Sequence, residues 1–161
     1  MIMNYRFLFA VPLLVFTISA NAGKGGIGAI FGALIGGAVG SAIGKSAGQA
    51  MSPEQALVKL VDQMNNQLPM ALDRDTRWDT SQAGPGRRLT YNYTIVSARA
   101  AEIDSTFFYQ AMSSHLRSSV CTKPDMQIFF KHGVTLSYSY RGSDGGYVGK
   151  VDISPRDCGI S

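Results

Sequence analysis

Three rhythms of apolar residues run along this chain, and each predicts a different element. Residues 7–18 form an apolar run behind Arg6, followed by Ala20-Asn21-Ala22. From Gly28 to Gly48 the period is four: Gly28, Gly32, Gly36, Gly40, Gly44 and Gly48 stand in register, each of the first five preceded by Ile27, Phe31, Ile35, Val39 or Ile43. From residue 52 onward the period switches between about 3.6, which marks a helix with one buried stripe, and two, which marks a strand with one buried face.

Ser52-Pro53-Glu54-Gln55 opens the first of these helices. Serine is a preferred N-cap, proline suits the first helical position, and Gln55 stands where a capping box needs it. Leu57, Leu60, Val61, Met64 and Leu68 then share one face, and Pro69 ends or bends the helix. A short strand is predicted over residues 76–81, followed by a turn at Ala83-Gly84-Pro85-Gly86. Over residues 87–97, Leu89, Tyr91, Tyr93 and Ile95 alternate with Arg88, Thr90, Asn92 and Thr94, the clearest strand in the chain. Phe108, Met112, Leu116 and Val120 set a second helix that starts at Asp104 or Ser105. Residues 124–131 fit either a helical turn or a strand. Val134, Leu136, Tyr138 and Tyr140 alternate again, Ser143-Asp144-Gly145-Gly146 turns, and residues 147–153 return as a hairpin partner.

Leu89-Thr90-Tyr91-Asn92-Tyr93 matches Leu136-Ser137-Tyr138-Ser139-Tyr140 in residue type and phase. An old duplication produces such a match, and so do two strands with the same packing task. The element order predicts an α+β fold: a small antiparallel sheet with two main helices packed on it, preceded by a glycine-zipper helix.

A spacing of four returns each glycine to nearly the same side of a helix, where bare backbone lets a second helix come close. Each glycine costs roughly 1 kcal/mol relative to alanine in a helix interior, so the series costs about 6 kcal/mol, too much for an isolated helix in water. In lipid the backbone has no water to bond with, and helix becomes nearly compulsory. The series from Gly28 to Gly48 is therefore predicted to associate helices in or against a membrane and to make a homo-oligomer. The alternatives are a flexible linker, which is normally poorer in Ile, Leu, Phe and Val, and a helix buried in protein.

The N-terminal run reads as an export signal cleaved before Gly23. That divides the chain into a signal (1–22), a membrane-associated zipper (23–51) and a soluble domain (52–161) large enough for one modest core. The formal net charge of +4 is scattered, and Arg87-Arg88 is the only basic pair beyond the zipper, so no nucleic-acid surface is predicted. Cys121 and Cys158 are the only cysteines, and in an exported chain they read as one disulfide. Closing that loop contributes roughly 3–4 kcal/mol in the chain-entropy model. A zipper that stopped in the inner membrane would leave the domain on the reducing side. The weakly hydrophobic segment is therefore expected to cross with the rest and insert after export. The predicted location is the periplasm or a membrane of the cell envelope, extending to the outer membrane or the medium.

Candidate chemistry is sparse. Cys121 beside His115 or His132 has the parts of a thiol nucleophile, but the second cysteine takes that sulfur into a disulfide. Asp73, Asp75 and Asp79 suggest a calcium loop without its glycine and closing glutamate. Asn92-Tyr93-Thr94 matches a glycosylation acceptor. Tyr91, Tyr93, Tyr138 and Tyr140 either line a contact face of the sheet or form cross-strand pairs in the core. No catalytic residue, metal site or cofactor is predicted, and the chain reads as a non-enzyme.

In the register from Gly28 to Gly48 the chain resembles the glycine-zipper envelope proteins, the group that includes the 17-kilodalton surface-antigen type of bacteria. The resemblance implies a bacterial envelope location and membrane-embedded self-association. The expected function is an exported envelope protein that self-associates through its zipper and presents its domain to a partner. Its partners are then itself, membrane lipid and an unidentified envelope protein. Two other readings stand beside it: a secreted membrane-inserting toxin or pore-former, and a periplasmic ligand-binding or inhibitor domain on a tether.

Overall fold

The computed structural model describes residues 26–37 and 50–160. Along the described chain come α1 (Ile27–Gly36), α2 (Pro53–Asn65), β1 (Met70–Ala71), β2 (Thr76–Gly84) and β3 (Arg88–Ile95). They are followed by α3 (Ser105–Thr122), α4 (Pro124–Lys131), β4 (Thr135–Gly142) and β5 (Tyr147–Ile153). The fold is α+β.

The start of α2 follows its sequence. Ser52 Oγ accepts from the Gln55 N–H at 3.3 Å and Gln55 Oε1 accepts from the Ser52 N–H at 3.1 Å, closing the capping box. The helix stops at Asn65 rather than reaching Leu68. A residue before proline is pushed away from helical geometry, which takes Leu68 out of the helix. Asn65 is meanwhile engaged by the sheet: its Nδ2 donates to Ser81 O at 3.0 Å and its Oδ1 accepts from the Ser81 N–H at 2.7 Å. Residues 124–131 resolve as helix α4, with Asp125 in its first turn and Lys131 in its last, each complementing the helix dipole.

The sheet runs in the order β1-β2-β3-β4-β5. The sequence predicts antiparallel pairing throughout, and the central pair departs from it: β3 and β4 are parallel. The reason is the connection. A helix pair, α3 and α4, carries the chain from the end of β3 back to the start of β4, and such a crossover sets the next strand parallel. The matched pentapeptides then lie side by side, Leu89 against Leu136, Tyr91 against Tyr138 and Tyr93 against Tyr140. In a duplicated helix-hairpin unit β3 corresponds to β5 and not to β4, because β3 closes the first hairpin and β4 opens the second. Two adjacent strands sharing one packing task account for the match.

All the described helices lie on one side of the sheet. α2 packs over β2, α3 over β5, and α4 touches both α1 and α3. Leu89, Leu136, Val151 and Ile153 from the strands meet Leu57, Leu60, Phe129 and Phe130 from the helices in one buried cluster. The intervening strand residues, among them Arg88, Asn92, Ser139, Lys150 and Asp152, face away from the helices.

α1 is shorter than its glycine register. The helix ends at Gly37, whose φ of 69° places it in the left-handed cap conformation, so the register is not one unbroken helix. Gly40, Gly44 and Gly48 lie outside the described residues, as does the segment read as an export signal. Among the described residues no helix is long and apolar enough to cross a membrane.

Candidate functional site

The first half of the glycine register has a partner in the same chain. Ile27, Phe31 and Leu34 are buried, and Phe31 stacks on Phe129 of α4 with ring centroids 4.5 Å apart. His132 meets the same ring edge-on at 6.1 Å. The backbones of α1 and α4 touch at Gly28, where an added methyl group would collide with the main-chain carbonyl of Asp125. One turn on, a methyl group on Gly32 would sit 3.6 Å from Ile128, in ordinary contact, whereas Gly36 faces open space. At Gly28 the close approach is made to α4 of the same chain. The described part of the register is a helix buried in protein.

The four tyrosines form a row across the two central strands. Tyr91 and Tyr138 stack at 5.2 Å, Tyr93 and Tyr140 at 5.2 Å, and Tyr93 and Tyr138 at 6.4 Å with ring planes only 5° apart. Trp78 closes one end, edge-on to Tyr91 at 5.5 Å, and Phe108 of α3 closes the other, edge-on to Tyr140 at 5.0 Å. Tyr91, Tyr138 and Tyr140 are buried and Tyr93 is half-buried, all on the helix-bearing side. The rings are therefore core cross-strand pairs and not an open contact face, because the helices cover that side. Burial holds all four phenols above their usual range, and for Tyr93 and Tyr138 the neighbouring phenols push in the same direction. Among the described residues the sealed side-chain polar atoms without a partner are Ser113 Oγ and His115 Nε2.

Cys121 and Cys158 are joined, with Cα atoms 5.1 Å apart. The bond pins the turn at Pro155–Cys158 to the last turn of α3, and Arg117 Nη2 reinforces it 2.9 Å from Asp157 Oδ1. Asp157 Oδ2 accepts from the Ser154 N–H at 2.9 Å and from Ser154 Oγ at 2.6 Å. These Ser154 hydrogen bonds, and then Arg117, hold the Asp157 carboxyl below the usual range.

On the opposite side of the sheet a clamp spans three strands. Arg88 Nη1 lies 2.8 Å from Asp152 Oδ2 and donates to Ser137 Oγ at 2.7 Å, while Ser137 Oγ donates to Asp152 Oδ1 at 2.7 Å. Burial pulls the Asp152 carboxyl upward, but Ser137, Arg88 and Lys150 outweigh it and the net direction is down. The aspartates of the calcium-like run do not converge. Asp73 Oδ1 accepts from the N–H groups of Asp75 and Thr76, both at 2.7 Å, while Asp79 holds Arg77 and accepts from Thr94 Oγ1 at 2.6 Å. Among the described residues no group of three His, Cys, Asp or Glu is placed to hold a metal ion.

No protein family and no curated protein matches the chain by sequence. Solved structures share its fold. A Pseudomonas aeruginosa protein classed as secreted superposes with a TM-score of 0.56 at 18% identity, covering 66% of this chain and 92% of its own. EpsS, a pilotin from the type II secretion system of Vibrio vulnificus, superposes with a TM-score of 0.52 at 12% identity, covering 66% of this chain and 91% of its own. At such identities the likeness is one of fold.

Besides the strand direction, two side-chain arrangements escaped sequence reasoning. The Arg88–Ser137–Asp152 clamp joins residues far apart in the chain, and its one local signal is polar residues alternating with the tyrosines and leucines. The seat of α1 is the other. Phe31 carried the signal there, as the only aromatic residue within the glycine register.

Proposed function

We propose that this chain is an exported protein of the bacterial envelope whose disulfide-bonded α+β domain binds a protein partner, in the role of a pilotin for a type II secretion system. The observation that carries the reading is the fold shared with EpsS. The Cys121–Cys158 bond supports export, because such bonds persist in oxidising compartments. Self-association and contact with lipid belong to the same reading and rest on the glycine register. The role is binding and not catalysis.

Deleting the gene in its own host tests this. Release of type II cargo into the medium should fall severalfold and recover with the wild-type gene. The full tagged chain, drawn from envelope fractions, should bring a component of the secretion apparatus with it. Undiminished secretion, with the chain recovered from the cytoplasm, would overturn the reading.

A further inference from the structure

We propose that the outer edge of β5 is a homodimer interface, on which β5 of a second copy lies antiparallel, with Val151 opposite Val151 and Lys150 opposite Asp152. The proposal rests on neither the glycine register nor the secretion role.

The two edges of the sheet are finished differently. At the β2 edge, the short strand β1 pairs with Arg77 and Trp78, and the Asn65 side chain takes both the N–H and the C=O of Ser81. That edge is closed by its own chain. β5 is the other edge. Among the described residues, nothing but β4 hydrogen-bonds to the main chain of residues 149–153. In an antiparallel ladder alternate residues turn their N–H and C=O away from the partner, so this edge offers donors and acceptors to a further strand.

Charge decides which strand fits. The pairing with β4 shifts register beyond Gly149, so the regular stretch of β5 is 149–153, centred on Val151. Lys150 and Asp152 flank that centre on the face away from the helices, exposed and with Nζ and Oδ2 3.5 Å apart. Arg88 and Ser137 hold Asp152 in place from the neighbouring strands. A lone lysine on an edge repels its own copy. A lysine and an aspartate set symmetrically about the middle do the reverse. Under a two-fold axis at Val151, each Lys150 faces Asp152 of the other copy, which makes two cross-strand ion pairs. An axis at Lys150 or at Asp152 sets like charges opposite, and a parallel copy in register does so at both positions. The edge therefore specifies a second copy, its direction and its register.

Charge reversal in pairs tests this. The full-length wild-type chain, Lys150→Asp and Asp152→Lys are purified separately, and dimer dissociation is measured by sedimentation equilibrium. Each variant alone sets like charges opposite at both pairs, and should weaken dimerisation about tenfold. Mixed, the two variants face acid to base at both pairs and should recover the wild-type affinity, read with a fluorescent label on one chain. Circular dichroism checks that each variant is folded. Lys150 is exposed and outside the core, so Lys150→Asp decides alone if Asp152→Lys, which gives up Arg88, does not fold. A wild-type chain that stays monomeric at about 100 μM would overturn the proposal. So would a dimer that Lys150→Asp leaves unchanged, which would assign self-association to another surface. A mixture of folded variants that associates no better than either alone would overturn it as well.

Discussion

The two ends of the domain are fastened to the helix layer by opposite means. At the C-terminal end the turn Pro155–Cys158 is held by a covalent bond, an ion pair from Arg117 and the Ser154–Asp157 hydrogen bonds. At the N-terminal end α1 is held by apolar packing, one glycine fitted against a carbonyl and one main-chain hydrogen bond. The first fastening fixes a segment permanently once oxidised. The second has a strength set by shape alone and can be undone without breaking a covalent bond. This contrast makes α1 the adjustable end of the molecule.

The largest expected effect lies at the packed end. Phe31 is fully buried, and truncating a buried phenylalanine costs about 3–5 kcal/mol. Phe31→Ala should lower stability by that amount in denaturant unfolding, up to the limit at which α1 comes away and the loss stops growing. Amide exchange should then speed up in α1 before it does in the strands. A loss below about 1 kcal/mol would mean that α1 adds little to the core.

Removing the covalent fastening should cost slightly less. The Cys121→Ser, Cys158→Ser double variant closes no loop in its unfolded chain and should lose roughly 3–4 kcal/mol. Its deficit should appear as faster exchange at the end of α3, where Cys121 and Gln127 meet, with α1 unaffected. Loss of protection in α1 as well would show that the two ends are coupled and that the contrast is too sharp.

The difference between these ends is also a difference in legibility. A lone pair of cysteines in a chain with an export-like start names its own partner, so that fastening could be read from Cys121 and Cys158 alone. The capping box at Ser52 and the alternation from Leu89 to Ile95 were equally readable, because each depends on neighbours within a few positions. Gly28 announces a close approach without saying to what. Only the position of Asp125 in three dimensions supplies that answer. Strand direction was hidden for a related reason: alternation at Tyr91 and Tyr138 fixes which face is buried, but is the same for parallel and antiparallel neighbours. The Arg88–Ser137–Asp152 clamp needs register as well as direction, so no local pattern could disclose it.

Gly28 gives a smaller effect whose sign separates the environments. In an unpacked helix, replacing glycine with alanine stabilises by about 1 kcal/mol. Against the Asp125 carbonyl the added methyl group has no room, and overpacking costs typically 1–3 kcal/mol. Gly28→Ala should therefore destabilise, while Gly36→Ala, facing open space, should be neutral or stabilising. Equal behaviour of the two variants in thermal unfolding would remove α4 as the partner of α1.

The smallest effect belongs to the polar part of the C-terminal fastening and is visible only through pH. The Asp157 carboxyl is held below its ordinary value of 3.8 by Ser154 and then by Arg117. A carboxyl lowered by folding contributes stability that is present above the unfolded value and fades as pH falls through the folded one. The wild-type protein should therefore exceed Asp157→Asn in stability at neutral pH, and the gap should close as pH drops below about 4. Glu54, Asp144 and Asp152 are also lowered, but they are common to both proteins and cancel in the difference. Unfolding midpoints of both proteins from pH 7 to pH 2 give the measurement. A gap that stays constant to the acid end would assign the role of Asp157 to its shape, leaving the disulfide as the main hold on the C-terminal turn.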